Sequence, residues 1–339
     1  MSVVEAVRVD EDLTTGAIET RTWAYYPGCS LESSSKDFDR SSRAVLAALG
    51  VELAELDGWT CCGGSSAHQV DHTLGGALPA RNLRLAEELG LDLVMPCPAC
   101  SARHIAANAE LAIPAKAERI NAVLDRPAAG TSRVLNILEA LDEVTRELPE
   151  DTLPKRVDLK VVPYYGCLLT RPGGGVEYDN AEDPVTMDRL AELAGATVLP
   201  WSFKTECCGA SLSFFEKDAV LVNSVKLLDM AVQAGAQAIV TACPLCHQNL
   251  DLRQGQLEKR AGKTYGMPVY YITELIGLAL GFTPEELGVQ LHAVDALGLL
   301  RGAVKSPQDM VQPEEVKRPK KVAKPVKDGD EAQATAPAD

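Results

Sequence analysis

The chain has 339 residues, of which 46% are hydrophobic, and it carries a formal net charge of −15 at pH 7. That length allows about two domains of usual size, and the apolar fraction suffices for a buried core. An acidic balance of this size excludes nucleic-acid binding, which needs a basic footprint. No run of about 18 uninterrupted apolar residues is present to span a membrane; the densest stretch, residues 270–282, is short and contains Glu274.

The first 21 residues are acidic and lack a basic n-region, an apolar h-region or a small-residue cleavage site. They do not read as a signal peptide, so the expectation is a cytoplasmic chain with reduced thiols. Thr22–Tyr26 then reads as a short buried strand running into a Gly-Cys turn. Phe38–Leu49 has helical apolar spacing and stops at Gly50. Val51–Leu56 reads as a strand leading to Cys61-Cys62, Leu78–Leu89 as a helix, and Leu91–Met95 as a strand delivering Cys97-Pro98-Ala99-Cys100. The charged, proline-bearing stretch Glu143–Lys155 reads as a linker.

The same order then returns. Val157–Tyr165 reads as a strand, Met187–Leu193 as a helix ending at Gly195, and Thr197–Trp201 as a strand toward Cys207-Cys208. Asp218–Ala234 reads as a helix, and Ala238–Thr241 as a strand into Cys243-Pro244-Leu245-Cys246. This alternation predicts an α/β fold made of two similar domains, residues 22–142 and 156–300, related by a pseudo-two-fold axis. Residues 305–339 hold five prolines, no aromatic side chain, and seven basic against seven acidic residues. They read as a disordered tail.

All ten cysteines fall into two copies of one pattern, C-x31-CC-x34-C-x2-C and C-x39-CC-x34-C-x2-C. From the double cysteine onward the copies superpose with a constant offset of 146 residues. Five thiols per half cannot all pair within that half, and a bridge between adjacent cysteines is strained. In a reducing compartment such clusters bind metal or do redox chemistry. A closed zinc site takes four ligands, and so does an ordinary cubane cluster, which leaves one thiolate over in either case. Thiolates suit zinc, copper(I) and iron–sulfur clusters alike. The count of five favours an iron–sulfur cluster of unusual shape, in which one thiolate can bridge two irons. A zinc-binding protein without redox activity stays open as an alternative.

Glycines flank these cysteines. Gly63, Gly64 and Gly209 follow the vicinal pairs, where two consecutive side chains must converge on one centre and the backbone needs a turn without a Cβ penalty. Gly28 and Gly166 precede the lone cysteines and carry the same reading. Of the polar neighbours, Arg171, Lys204 and His247 are candidates for contact with an anionic substrate. Their bland reading, shared with Arg103, His68, His72 and His104, is solvated charge or packing. No histidine is needed to complete the metal count, so none is read as a ligand.

At these residues the chain resembles a known family. CCGG and CCGA, preceded by YYPGC (residues 25–29) and PYYGC (residues 163–167), are similar to the tandem CCG domains of the heterodisulfide reductase B subunit. So are GCLLTRP from Gly166, DPVTMDR from Asp183, KTECCG from Lys204, IVTACPLC from Ile239 and YITELIGLALG from Tyr271. The resemblance covers about residues 22–293 and is more specific than the bare CCG motif, which electron-transfer subunits of succinate and hydroxy-acid oxidoreductases share.

The resemblance implies two noncubane [4Fe-4S] clusters. Cys29, Cys61, Cys62, Cys97 and Cys100 would hold one, and Cys167, Cys207, Cys208, Cys243 and Cys246 the other. It implies reduction of a mixed disulfide, such as the CoB–CoM heterodisulfide or a bacterial analogue, to two thiols. It also implies two partners: a small iron–sulfur protein like the family's C subunit, and a flavin-containing protein like its A subunit. Two centres make chemical sense: splitting a disulfide takes two electrons, a cluster normally passes one, and each departing thiolate could be stabilised by its own iron. An electron-transfer subunit of a succinate or hydroxy-acid oxidoreductase is the alternative function. The proline- and lysine-rich tail departs from the compact family pattern.

Overall fold

A computed structural model describes residues 21–64, 67–146, 148, 153–171, 178–213 and 215–306. The first half runs β1 (Arg21–Tyr25), α1 (Gly28–Glu32), α2 (Lys36–Ala48), β2 (Val51–Glu55), α3 (Ala67–Val70) and α4 (His72–Leu89). It continues with β3 (Leu93–Met95), α5 (Pro98–Leu111), α6 (Pro114–Asn121), β4 (Val134–Asn136) and α7 (Ile137–Thr145). The second half runs β5 (Arg156–Val157), β6 (Lys160–Tyr164), α8 (Thr186–Leu193), β7 (Thr197–Val198), α9 (Lys217–Gln233) and β8 (Ala238–Thr241). After these come α10 (Pro244–His247), α11 (Gln254–Ala261), β9 (Val269–Tyr271), α12 (Ile272–Ala279), α13 (Pro284–Leu287), α14 (Ala296–Leu300) and β10 (Val304–Lys305).

Each half builds a four-stranded, wholly parallel sheet. The orders are β2-β1-β3-β4 and β7-β6-β8-β9, which match strand for strand. Parallel strands need crossover helices, and strands covered by them read as near-continuous apolar runs. Accordingly β3, β4, β8 and β9 are buried at every residue. In such sheets the loops at the carboxyl ends of the strands gather on one edge. Every cysteine lies past the carboxyl end of a strand: Cys29 after β1 in α1, Cys61-Cys62 after β2, Cys97 and Cys100 after β3 at the start of α5, Cys167 after β6, Cys207-Cys208 after β7, and Cys243 and Cys246 after β8 at the start of α10.

Helix boundaries follow local chemistry. The helix expected over Leu78–Leu89 starts earlier, at His72, because the Asp71 carboxylate caps it by accepting from the Leu74 amide at 2.7 Å. It ends at Gly90 in the left-handed conformation. The strand expected over Val157–Tyr165 divides in two. β5 pairs antiparallel with β10, while β6 enters the second sheet. Lys305, the first residue of the expected tail, therefore belongs to a strand; the tail from residue 307 lies outside the described residues. Helix α7 runs through Glu143 to Thr145, so the stretch read as a linker begins inside a helix.

The halves interlock. α7 of the first half packs on α8 of the second, and α12 of the second packs on α2 of the first. At the latter contact the hydroxyls of Ser41 and Thr273 are 2.7 Å apart in the interior. Phe38 stacks on Tyr271 with ring centroids 4.1 Å apart. One apolar core, from Trp23 and Phe38 through Leu190 to Leu275, runs across both halves.

Candidate metal centre

Each half gathers its five cysteines at the end of its sheet. Cys62, Cys97 and Cys100 are buried while Cys29 and Cys61 are exposed; Cys208, Cys243 and Cys246 are buried, Cys207 is exposed and Cys167 is intermediate. None is disulfide-bonded. The knuckle cysteines start helices: Cys97 stands at the N-cap of α5 and Cys243 at that of α10, each followed by a proline in the first helical turn. Sγ atoms stand 3.3 Å apart in Cys62–Cys100, 3.6 Å in Cys208–Cys246 and 3.7 Å in Cys167–Cys207.

Paired backbone devices shape both pockets. Gly63 and Gly209 have φ of +71° and +81°, and their amides donate to the sulfurs of Cys61 and Cys207 at 3.4 and 3.2 Å. Gly28 and Gly166 have φ of +71° and +67°. A Cβ on either would come within 3.1 Å of a sulfur, that of Cys100 or of Cys246. A Cβ on Gly64 would lie 3.2 Å from Cys62 Sγ. Both cradles thus depend on glycine, as expected of a bulky centre held by converging thiolates.

Two tyrosines brace the vicinal cysteines, a role that the cysteine pattern alone does not assign. Tyr26 donates to the Thr60 carbonyl and Tyr164 to the Glu206 carbonyl, both at 2.8 Å, one residue before each double cysteine. Trp59 and Trp201 meet these rings edge-on. The recurrence of tyrosine two residues before Gly28 and Gly166 was the available signal. Around the first set, Asn82 bonds both backbone groups of Thr60 at 2.9 Å, and buried His104 meets the Cys100 carbonyl at 2.8 Å. Burial holds the His104 imidazole down at about 4, hence neutral. Around the second set, Asn249 donates an amide to Cys208 Sγ at 3.4 Å.

Crowding makes these thiols unequal. Hydrogen bonds from Cys100 and Cys61 hold the Cys62 thiol down, whereas the Cys62 contact, Cys97 and burial push Cys100 up. Cys208 is likewise lowered by Cys246, and Cys246 raised by Cys208. Packed thiols cannot all ionise against one another, and a cationic centre removes that conflict. Five soft donors per half, with glycine cradles and sulfur-directed amides, fit an iron–sulfur centre.

An opening over the second set is lined by Tyr165, Cys167, Leu168, Cys208 and Leu245, together with Pro98 from the knuckle of the first half. Helix α1, which carries Cys29, packs against α10, which carries Cys246. None of Arg171, Lys204 and His247 lines this opening. Arg171 is paired with Glu182 at 3.0 Å. Lys204 is held by Asp188 at 2.7 Å, by Asp183 at 3.4 Å and by the Pro184 carbonyl at 3.0 Å. The Lys204 carbonyl accepts from the Tyr165 and Gly166 amides at 2.9 and 3.0 Å and so shapes the Cys167 loop. His247 is buried and stacked on Tyr271 at 4.4 Å, facing the seam between the halves.

Comparison with known proteins decides the family. Residues 23–103 and 161–251 both match the CCG cysteine-rich domain. The chain is 31% identical over 285 residues to the B subunit of the ferredoxin/F420H2-dependent CoB–CoM heterodisulfide reductase of Methanosarcina acetivorans, covering 81% of this chain and 94% of that one. It belongs to the heterodisulfide reductase B-subunit family, with two CCG domains. The B subunit of the ferredoxin:CoB–CoM heterodisulfide reductase of Methanosarcina mazei is also 31% identical, over 80% of this chain and 94% of that one. The 8-methylmenaquinol:fumarate reductase membrane anchor subunit of Wolinella succinogenes is 32% identical, over 82% of this chain and 99% of that one. Among solved structures, a hypothetical protein from Helicobacter pylori shares the fold, with a TM-score of 0.64 at 13% identity. That match covers 81% of this chain and 52% of the other. The CCG domains give this member of the family an iron–sulfur electron-transfer role. Among its described residues no helix is long and apolar enough to cross a membrane.

Proposed function

We propose that this chain is the iron–sulfur subunit of an oxidoreductase complex that reduces a mixed disulfide to two thiols. The observation that carries the reading is the meeting of the two cysteine sets: α1 bearing Cys29 packs on α10 bearing Cys246, and Pro98 lines the opening over the second set. The sulfurs of a disulfide are only about 2 Å apart. In this reading each donor set would face one sulfur across the seam where α1 meets α10.

Cys29, Cys61, Cys62, Cys97 and Cys100 hold one noncubane [4Fe-4S] cluster in this reading, and Cys167, Cys207, Cys208, Cys243 and Cys246 the other. Such clusters, when bound, supply one electron each and a Lewis-acidic iron toward the departing thiolate. The chain positions the substrate, keeps water from the buried knuckle cysteines, and braces the vicinal pairs through Tyr26 and Tyr164. The reaction balances as one disulfide, two electrons and two protons giving two thiols. The electrons come from a small iron–sulfur partner and a flavin-containing partner.

A second reading, an electron-transfer subunit of a fumarate- or succinate-type complex, draws on the Wolinella relative, which matches over 99% of its length. Identities of 32% and 31% do not separate the two readings; the approach of the two cysteine sets through α1 and α10 supports the first. The test is reduction of mixed disulfides by the cluster-loaded protein with an artificial electron donor, followed by thiol addition to oxidised protein. Turnover together with spectral change of both clusters supports disulfide reduction. Silence in both experiments leaves the relay reading.

A further inference from the structure

The seam between the halves holds a second group of metal-type side chains that contains no cysteine. Asp37 comes from α2 of the first half, His247 from the end of α10, and His292 from the segment before α14. One donor atom from each lies within 4.8 Å of the other two. All three are inside the protein: the His292 side chain is 0% exposed, that of Asp37 6%, and His247 is buried.

The surroundings fix these groups as they do at metal sites. His247 Nε2 meets the Val269 carbonyl at 3.0 Å, which makes it the protonated nitrogen and leaves the other with a lone pair. His292 Nε2 lies 2.9 Å from Glu274 Oε1 and 3.4 Å from Asp37 Oδ2. Its Nδ1 is buried without a hydrogen-bond partner. A buried imidazole nitrogen in that condition is an open donor position. The segment carrying His292 is pinned by the buried Asp251 carboxylate, which accepts from the Ala293 and Val294 amides at 2.7 and 3.1 Å. Tyr271 stacks on the His247 ring at 4.4 Å, and the two imidazoles meet edge-on at 4.7 Å.

Charge argues in the same direction. Asp37, Asp251 and Glu274 are three buried carboxylates around a pair of imidazoles. A buried carboxylate is costly unless it is paired, hydrogen-bonded or ligated. A divalent cation offsets it. Imidazole with carboxylate suits zinc-class first-row ions, whereas magnesium and calcium take all-oxygen sets and copper(I) prefers sulfur.

We propose that Asp37, His247 and His292 bind one divalent first-row cation of the zinc class, with the Glu274 carboxylate holding the His292 ring through its Nε2. The ion joins the first long helix of one half to the knuckle helix and C-terminal segment of the other. Its place in the fold makes it a structural clasp across the seam, built without cysteine although His247 directly follows Cys246.

Zn²⁺ is the probe. The cluster-loaded full chain, freed of loosely held metal by chelator and desalting, is titrated with Zn²⁺, and bound zinc is counted and its K-edge absorption recorded. One zinc per chain is expected, in a shell of nitrogen and oxygen at about 2.0–2.1 Å with no sulfur near 2.3 Å. His292→Gln and Asp37→Asn should each weaken zinc uptake at least about tenfold while the visible spectrum of the clusters is unchanged. Absence of stoichiometric zinc overturns the proposal, and so does zinc in a sulfur shell, which would put it on the cysteines and count against the iron–sulfur reading instead. The wild-type absorption shell decides even if a variant fails to fold.

Discussion

Gly28 and Cys100 approach closely: a methyl group on the glycine would sit 3.1 Å from the sulfur, tighter than ordinary van der Waals contact. Gly166 and Cys246 repeat the relationship at the same 3.1 Å. Both glycines also have positive φ, which an L side chain rarely adopts. Gly28→Ala should therefore empty the first centre and Gly166→Ala the second. Iron analysis would show about half the wild-type content in either variant, with the fold retained by circular dichroism. Full iron content in Gly28→Ala would refute the close-approach argument.

The two tyrosine braces differ in what backs them up. The Thr60 carbonyl receives both Tyr26 and Asn82, whereas Tyr164 is the described side chain donating to the Glu206 carbonyl. A buried acceptor left unmet costs about 1–3 kcal/mol. Tyr164→Phe should thus destabilise the cluster-loaded protein by about 1–2 kcal/mol more than Tyr26→Phe. Urea unfolding of both variants checks the order, and equal midpoints would contradict it.

Metal analysis after anaerobic purification should find about eight irons per chain with matching sulfide, four for each [4Fe-4S] centre. Zinc held by sulfur in stoichiometric amount, with little iron, would sink the iron–sulfur assignment of the ten cysteines.

Cys62→Ala and Cys208→Ala each remove a buried donor from one set only. Each variant should keep the cluster spectrum of the untouched half and lose almost all disulfide reduction, because one centre cannot deliver both electrons. Thiol added to oxidised wild type should perturb two cluster signals. If it perturbs neither, the chain relays electrons and does not cleave disulfides.

At the α7–α8 contact the guanidinium of Arg189 from the second half meets the buried carboxylate of Asp142 from the first. Arg189 is partly exposed and Asp142 keeps a second partner in Arg146, so the pair contributes less than an isolated buried one. Arg189→Ala should lower stability by about 1 kcal/mol. The readout is the denaturation midpoint at low and high salt, with the difference narrowing as salt rises.

Cysteine spacing and strand rhythm were legible in the sequence because ligand loops and covered parallel strands leave local patterns. Cys29, Cys61, Cys62, Cys97 and Cys100 follow the ends of β1, β2 and β3, so the repeat along the chain is the repeat in space. The division of Val157–Tyr165 was not legible, since the partner that captures β5 is β10, almost 150 residues later. Cys29 was expected in a turn and lies in the short helix α1. Arg171 and Lys204 looked like free cations beside a cysteine; their carboxylate partners Glu182 and Asp188 lie on the intervening segment, whose path the sequence does not reveal. The Asp37–His292 meeting spans more than 250 residues and carries no local signature.

The exchange of helices between the halves has a consequence for the history of the chain. α12 covers α2 and α7 covers α8, so each half completes the other across its pseudo-axis. Self-complementary packing of this kind is how a two-fold homodimer is built. An ancestor with one five-cysteine unit would have formed this seam by pairing with its own copy. Fusion of two such copies would free each to change alone. A severed half should bury its bared helix face by dimerising.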